Sequence, residues 1–232
     1  MSFMLALPKI SLHGQGAIED MVTMLATQQH GKALIVTDGQ LIELGLLDSL
    51  FSALKQADLS YAIYGGVVPN PTSAHVDEGF RFNQENQCDY LIAFGGGSPL
   101  DTPKGIKILT ANPGPATGSS GVGKVTKPGV FLVAINTTAG TAAELTSNAV
   151  IIDSQRQVKE VIIDANLIPD IAVDDPSVML RIPAGVTAAT GMDALTHAIE
   201  AYVSVGAHPL TAPTALAALS PIPHWLPKAV DP

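Results

Sequence analysis

A chain of 232 residues that is 47% hydrophobic and 14% charged is long enough to bury one large core or two small ones, which excludes a disordered tail, a coiled coil and a disulfide-stapled mini-protein. With 12 basic against 21 acidic residues the formal charge is -9, the wrong sign for a surface that neutralises phosphates along DNA or RNA, so nucleic acid is excluded as a bulk partner. A single bound nucleotide is not excluded, because backbone N–H groups at a helix start hold a pyrophosphate without net positive charge.

Cys88 is the only cysteine, so no intramolecular disulfide forms, and a reducing compartment fits. The start, Met1 to Pro8, lacks the basic region and the full apolar stretch of a secretory leader, and no run approaches the roughly 18 apolar residues of a membrane span. The expectation is a soluble, unprocessed, cytoplasmic protein without a membrane partner.

In chain order, the spacing of apolar residues predicts a helix over 18–29 and a buried strand over 32–37, KALIVT, ending at Asp38. A helix over 41–57 leads to a strand over 60–64, and Pro69-Asn70-Pro71 then forces an extended turn. A helix over 74–86 precedes a strand over 90–94. Residues 112–128, rich in Gly, Pro, Ser and Thr, read as a surface loop before the strand 130–136. Val150–Asp153 and Glu160–Asp164 read as paired strands joined by a polar turn at 154–157, and 171–173 adds a short extended piece.

This strand–helix rhythm predicts an α/β fold, a Rossmann-like parallel sheet with helices on both faces and function at the carboxyl ends of its strands. After Pro183 the pattern becomes Ala-rich and helical over 184–205. The boundary is therefore placed near residue 180, giving an α/β domain over 1–180 and the beginning of an all-helical domain over 181–232. Pro209, Pro213, Pro221, Pro223, Pro227 and Pro232 prevent a long uninterrupted helix at the end.

Three segments carry candidate chemistry. In the first, the strand 90–94 runs into Gly95-Gly96-Gly97-Ser98-Pro99, read as a glycine turn, an N-cap type residue and a proline at the first helical position. Bare glycines let an anion approach the free N–H groups of a helix start, and the alternative is a tight turn with no ligand. The pattern is not the G-x-G-x-x-G fingerprint. In the second, Asn136 to Thr146 gathers hydroxyls after the next strand, either as ligand contacts or as an N-cap cluster; Asp38 likewise suits a ribose hydroxyl or a cap of the following turn. In the third, Asp193 and His197 stand four apart on one helix face, where they share a divalent cation or form a hydrogen bond on a solvated surface.

Taken together, GGGSPLD at 95–101, INTTAGTAAELT at 135–146 and TAATGMDALTHAIEAYVS at 187–204, with VTDG at the end of the first strand and PNPT at 69–72, resemble the iron-containing (group III) alcohol dehydrogenases, closest to their lactaldehyde:propanediol oxidoreductase and 1,3-propanediol dehydrogenase branch. The resemblance implies a dehydroquinate synthase-like fold, here incomplete: a nucleotide-binding α/β domain, a helical domain, and a cleft holding NAD(P) and one divalent metal, iron or sometimes zinc. Gly95, Gly96, Gly97 and Ser98 then wrap the pyrophosphate, and Thr137, Thr138 and Thr141 line the cofactor site with Asn70, Asp101, Thr146 and Lys159. Asp38 matches the acidic position that favours NAD over NADP. Asp193 and His197 match the first two metal ligands.

The activity implied is hydride transfer between a primary or secondary alcohol, or a diol, and NAD(P), with the metal acting as a Lewis acid on the alcohol oxygen. A homodimer or larger homo-oligomer is implied as well. Family members carry two further histidine ligands in a later segment that this sequence does not contain, and His224, in Pro223-His224-Trp225, does not match it. Two alternatives remain at this stage: a catalytically incomplete nucleotide-binding remnant acting through subunit association, and a glycerol dehydrogenase-like or dehydroquinate synthase-like enzyme.

Overall fold

The computed structural model describes residues 4–231; Met1 to Phe3 of the amino-terminal reading and Pro232 of the proline cluster lie outside the described residues. The chain divides into two compact units, one formed by the residues through Thr137 with Ala143–Val178, the other by Thr138–Ala142 with the chain from Met179 onward.

Among the described residues the first unit holds the strands: β1 (Ile10–His13), β2 (Lys32–Asp38), β3 (Ser60–Val67), β4 (Tyr90–Gly95), β5 (Gly121–Val122), β6 (Phe131–Asn136), β7 (Asn148–Ile152), β8 (Lys159–Ile163) and β9 (Ile171–Asp174). Six of them form one parallel sheet in the order β1-β9-β6-β4-β2-β3, and β5-β8-β7 form a small second sheet in which β7 and β8 run antiparallel. Its helices are α1 (Ala17–Ala26), α2 (Gly39–Glu43), α3 (Asp48–Gln56), α4 (Ser73–Glu85) and α5 (Gly97–Ala111).

The sheet centre follows from composition. Every residue of β4 and the five interior residues of β2 are buried, as continuous apolar runs are when both sheet faces are covered. In α1 the residues Ile18, Met21, Val22 and Leu25 are buried at helical spacing.

Three local features depart from the sequence expectations. The helix expected over 41–57 is two helices, because Gly45 at φ 66 ends α2. Its N–H donates to the Ile42 carbonyl at 3.0 Å while the Leu46 N–H donates to that of Leu41 at 3.1 Å, the two bonds of a Schellman C-cap. β1 was not anticipated: its apolar–polar alternation spans only four residues at a sheet edge. In α5, Pro99 is the third helical residue, not the first, and the helix continues through Pro103, which removes only the bond its own nitrogen would have made to the Pro99 carbonyl. The loop 112–128 contains a short 3-10 turn at Ala116–Ser119 and the two residues of β5.

The second unit is helical: α6 (Ala184–Val203), α7 (Ala212–Leu219) and α8 (Pro221–Val230), with α7 and α8 both packed on α6. Pro213, Pro221 and Pro223 fall in first turns, where a missing N–H costs nothing, and Pro227 lies inside α8. Among the described residues no helix is long and apolar enough to cross a membrane.

Gly105, midway along α5, sets the spacing of that helix from its neighbours: an added Cβ would lie 2.9 Å from both Ile151 and Val76. Gly105→Val should therefore lower the unfolding free energy by about 1–3 kcal/mol through over-packing. Urea denaturation measures it; an unchanged midpoint would contradict the close approach.

Candidate functional site

The site begins where β4 passes into α5. Gly95 has φ +144, and a Cβ there would lie 2.5 Å from the Pro99 Cβ, so both backbone and packing require glycine. Its carbonyl accepts the Thr137 N–H from the end of β6 at 3.0 Å. Gly96 is the N-cap of α5 and no side chain caps the helix, which leaves its first amides and the positive end of its dipole available to an anion.

Beside this helix start lies a hollow of about 210 Å³ lined by Asn70, Pro71, Gly97, Ser98, Asp101, Val150, Ile152 and Lys159. The structure thus brings together five of the residues named from the resemblance: Asn70, Gly97, Ser98, Asp101 and Lys159. Asn70, in the left-handed region at φ 58, donates its N–H to the Ser98 hydroxyl at 3.3 Å, tying the PNPT turn to the glycine loop. Pro71 accepts the Ile152 N–H at 2.9 Å, so the same turn also meets β7.

Asp101 sits one turn into α5, and its Oδ2 accepts the Val150 N–H at 3.0 Å. Burial pushes its carboxyl above the usual range, with the nearby Lys104 ammonium acting in the opposite direction. Lys104 is completely buried. Its Nζ donates to the Ala143, Thr146 and Asn148 carbonyls at 2.7, 3.1 and 2.8 Å and to the Thr146 hydroxyl at 2.9 Å, and lies 4.0 Å from Asp101 Oδ1. Thr146, expected at the cofactor, spends its hydroxyl on that ammonium.

Asp38 closes β2 and caps α2, its Oδ1 accepting the Leu41 N–H at 2.9 Å. Thr137 is buried at the end of β6, with a hydroxyl that finds no partner among the described residues. Thr138 and Thr141 belong to the 138–142 loop of the second unit. In that unit Asp193 and His197 do share one face of α6, both about half exposed, with Oδ2 and Nδ1 3.7 Å apart. Among the described residues no three His, Cys, Asp or Glu side chains are placed to hold a metal ion, so these two donors are an incomplete set.

The NAD expectation fares differently, because an uncapped helix start, a glycine that no Cβ can replace and a lysine-bearing hollow together fit a diphosphate. Sequence reasoning missed Lys104 and Glu144. The available signal was a charged residue three after Asp101 within an otherwise buried helix. Glu144, in the short 3-10 turn Ala143–Leu145, is 3% exposed, and its Oε2 has no partner among the described residues.

Comparison with known proteins agrees along the chain. The model of the family described as iron-containing alcohol dehydrogenase matches residues 8–176, and that of the Fe-containing alcohol dehydrogenase family C-terminal region matches residues 187–232. The chain is 46% identical over 224 residues to the NAD-dependent methanol dehydrogenase of Bacillus methanolicus, covering 97% of this chain and 59% of that protein. It is also 46% identical over 200 residues to the lactaldehyde reductase of Escherichia coli strain K12, covering 85% and 52%. The crystal structure of sulfoacetaldehyde reductase from Bifidobacterium kashiwanohense in complex with NAD+ superposes with a TM-score of 0.91 at 27% identity, covering 99% of this chain and 61% of that one. The chain therefore spans little more than half the length of these relatives.

Burial raises the Glu144 carboxyl to about 7; its own backbone N–H opposes the rise, the Asp174 charge adds to it, and Lys104 opposes it. A carboxyl raised on folding contributes stability that is present below its unfolded value, near 4.5, and lost as pH climbs through about 7. Glu144→Gln should accordingly gain on the wild type by about 1–3 kcal/mol between pH 4 and pH 8. Thermal unfolding of both proteins across that range tests this, and a difference independent of pH would contradict it.

Proposed function

The chain belongs to the iron-containing alcohol dehydrogenase family, and we propose that it supplies the NAD-binding part of an oxidoreductase that moves hydride between a primary or secondary alcohol, or a diol, and NAD. The observation that carries this reading is the hollow at the uncapped start of α5, which joins Asn70, Gly97, Ser98, Asp101 and Lys159 around bare backbone amides. Bound there, the dinucleotide supplies the hydride acceptor.

The chain's own residues bind and orient it. The amides of Gly97 and Ser98 face the diphosphate, Lys159 adds a positive charge at the rim, and Ser98 keeps the PNPT turn closed through Asn70. Asp38, at the carboxyl end of the neighbouring β2, accepts the adenosine ribose hydroxyls and repels a 2′-phosphate, which favours NAD over NADP. Thr137, buried at the end of β6 with its hydroxyl unpartnered among the described residues, adds a polar group at that strand end.

Asp193 and His197 would provide two donors to a divalent ion, iron or zinc. They do not amount to a site among the described residues, so no catalytic step is assigned to an ion here. The reading extends to a cytosolic homo-oligomer; the free, buried thiol of Cys88 fits a reducing compartment.

Isothermal titration decides the cofactor claim. NAD should bind the 232-residue chain, and Gly95→Ala should weaken binding at least tenfold, since alanine cannot adopt φ +144 without strain. Absence of NAD binding by the wild type would refute the reading. Asp38→Asn should narrow the preference for NAD over NADP, and an unchanged ratio would remove Asp38 from the ribose. NAD-dependent oxidation of short alcohols and diols, with iron and zinc content measured in parallel, tests the hydride transfer: turnover that rises with metal content supports it.

A further inference from the structure

β7 is an edge strand of the small sheet, paired with β8 on one side and carrying on the other an isolated parallel bridge from Ile152 to Thr72. The backbone groups on its other side do not meet a strand. The Asn148 carbonyl takes a hydrogen bond from Lys104 at 2.8 Å, the Val150 N–H gives one to Asp101 at 3.0 Å, and the Ile152 N–H gives one to the Pro71 carbonyl at 2.9 Å. Side chains one turn apart on α5 thus stand in for a missing strand, one as donor and one as acceptor. Val150 and Ile152, held this way, line the hollow together with Asp101.

A carboxylate at the edge of a diphosphate site repels its ligand unless its charge is compensated. Here the compensation is built in: the Lys104 ammonium lies 4.0 Å from Asp101 and is itself fixed by four acceptors from 143–148, yet it does not line the hollow. We propose that Lys104 is a positioning residue for the cofactor hollow, holding β7 against α5 and cancelling the Asp101 charge so that a dinucleotide diphosphate meets only N–H donors and Lys159. The proposal rests on the NAD reading above and adds to it a residue that never touches the ligand.

Lys104 also makes the arrangement sensitive to pH. Burial pulls its pKa down to about 8; Asp101 on α5 and Glu144 on the 143–145 turn oppose that fall, and Lys107, also on α5, adds to it. Above that value the compensating charge is lost and Asp101 is left to repel an anion.

The test is a double-mutant cycle read by titration calorimetry with NAD and with ADP-ribose, using adenosine as the phosphate-free control. Lys104→Met should weaken both diphosphate ligands at least tenfold and leave adenosine unchanged, and adding Asp101→Asn should restore most of the loss, because the charge that needed cancelling has gone. A merely structural lysine gives no such rescue. Affinity unaffected by Lys104→Met, or a loss that Asp101→Asn does not return, overturns the proposal while NAD binding by the wild type still upholds the cofactor reading; a wild type that binds no NAD removes both. If Lys104→Met fails to fold, the wild type supplies the answer: ADP-ribose affinity should fall between pH 7 and pH 9 with adenosine affinity flat, and a flat ADP-ribose profile overturns the proposal.

Discussion

The constraint on which the site depends is the last residue of a fully buried central strand, one residue short of the helix that follows it. Gly95 must turn β4 into α5 with φ +144 while Pro99 packs where its side chain would be, and its carbonyl must still receive the Thr137 N–H from β6. No other residue satisfies all three demands. Because β4 lies in the middle of a parallel sheet, the turn puts the uncapped amides of α5 at the carboxyl edge, where open α/β sheets bind ligands.

A helix start alone does not shape a hollow, and the rest of the shaping falls to groups brought in from distant sequence. The PNPT turn and β7 meet through the Ile152 N–H and the Pro71 carbonyl, and α5 holds the free edge of β7 with Asp101 and Lys104. Burying an ammonium costs several kcal/mol in desolvation. Three backbone carbonyls and a hydroxyl offset that cost, and the result is a wall held against α5 by two hydrogen-bonded side chains, one of them completely buried.

Much of the fold was legible in the sequence because both faces of the central sheet are covered. KALIVT and YLIAFG read as uninterrupted apolar runs, and their glycine or aspartate ends mark the carboxyl edge. The break at Gly45 was missed because it rests on one glycine whose C-cap role is visible only in its φ and its hydrogen bonds, and β1 because its alternation runs over four edge residues only. The glycine loop was legible by pattern, as was the shared face of Asp193 and His197. Lys104 and Glu144 were not, since sequence spacing does not reveal that a charged side chain is buried, and their partners lie about 40 residues away or come from a different element. The metal expectation rests on resemblance more than on geometry: the two donors stand together as expected, and no third is placed with them among the described residues.

The family match gives the chain its class, and the start of α5 offers uncapped amides beside a hollow. The most direct measurement is amide NMR of the isotopically labelled chain titrated with NAD. The account predicts that the largest shift changes fall on Gly96, Gly97, Ser98, Asn70 and Lys159, the residues around the start of α5. Changes confined to other parts of the chain, with these amides unmoved at saturation, would contradict it.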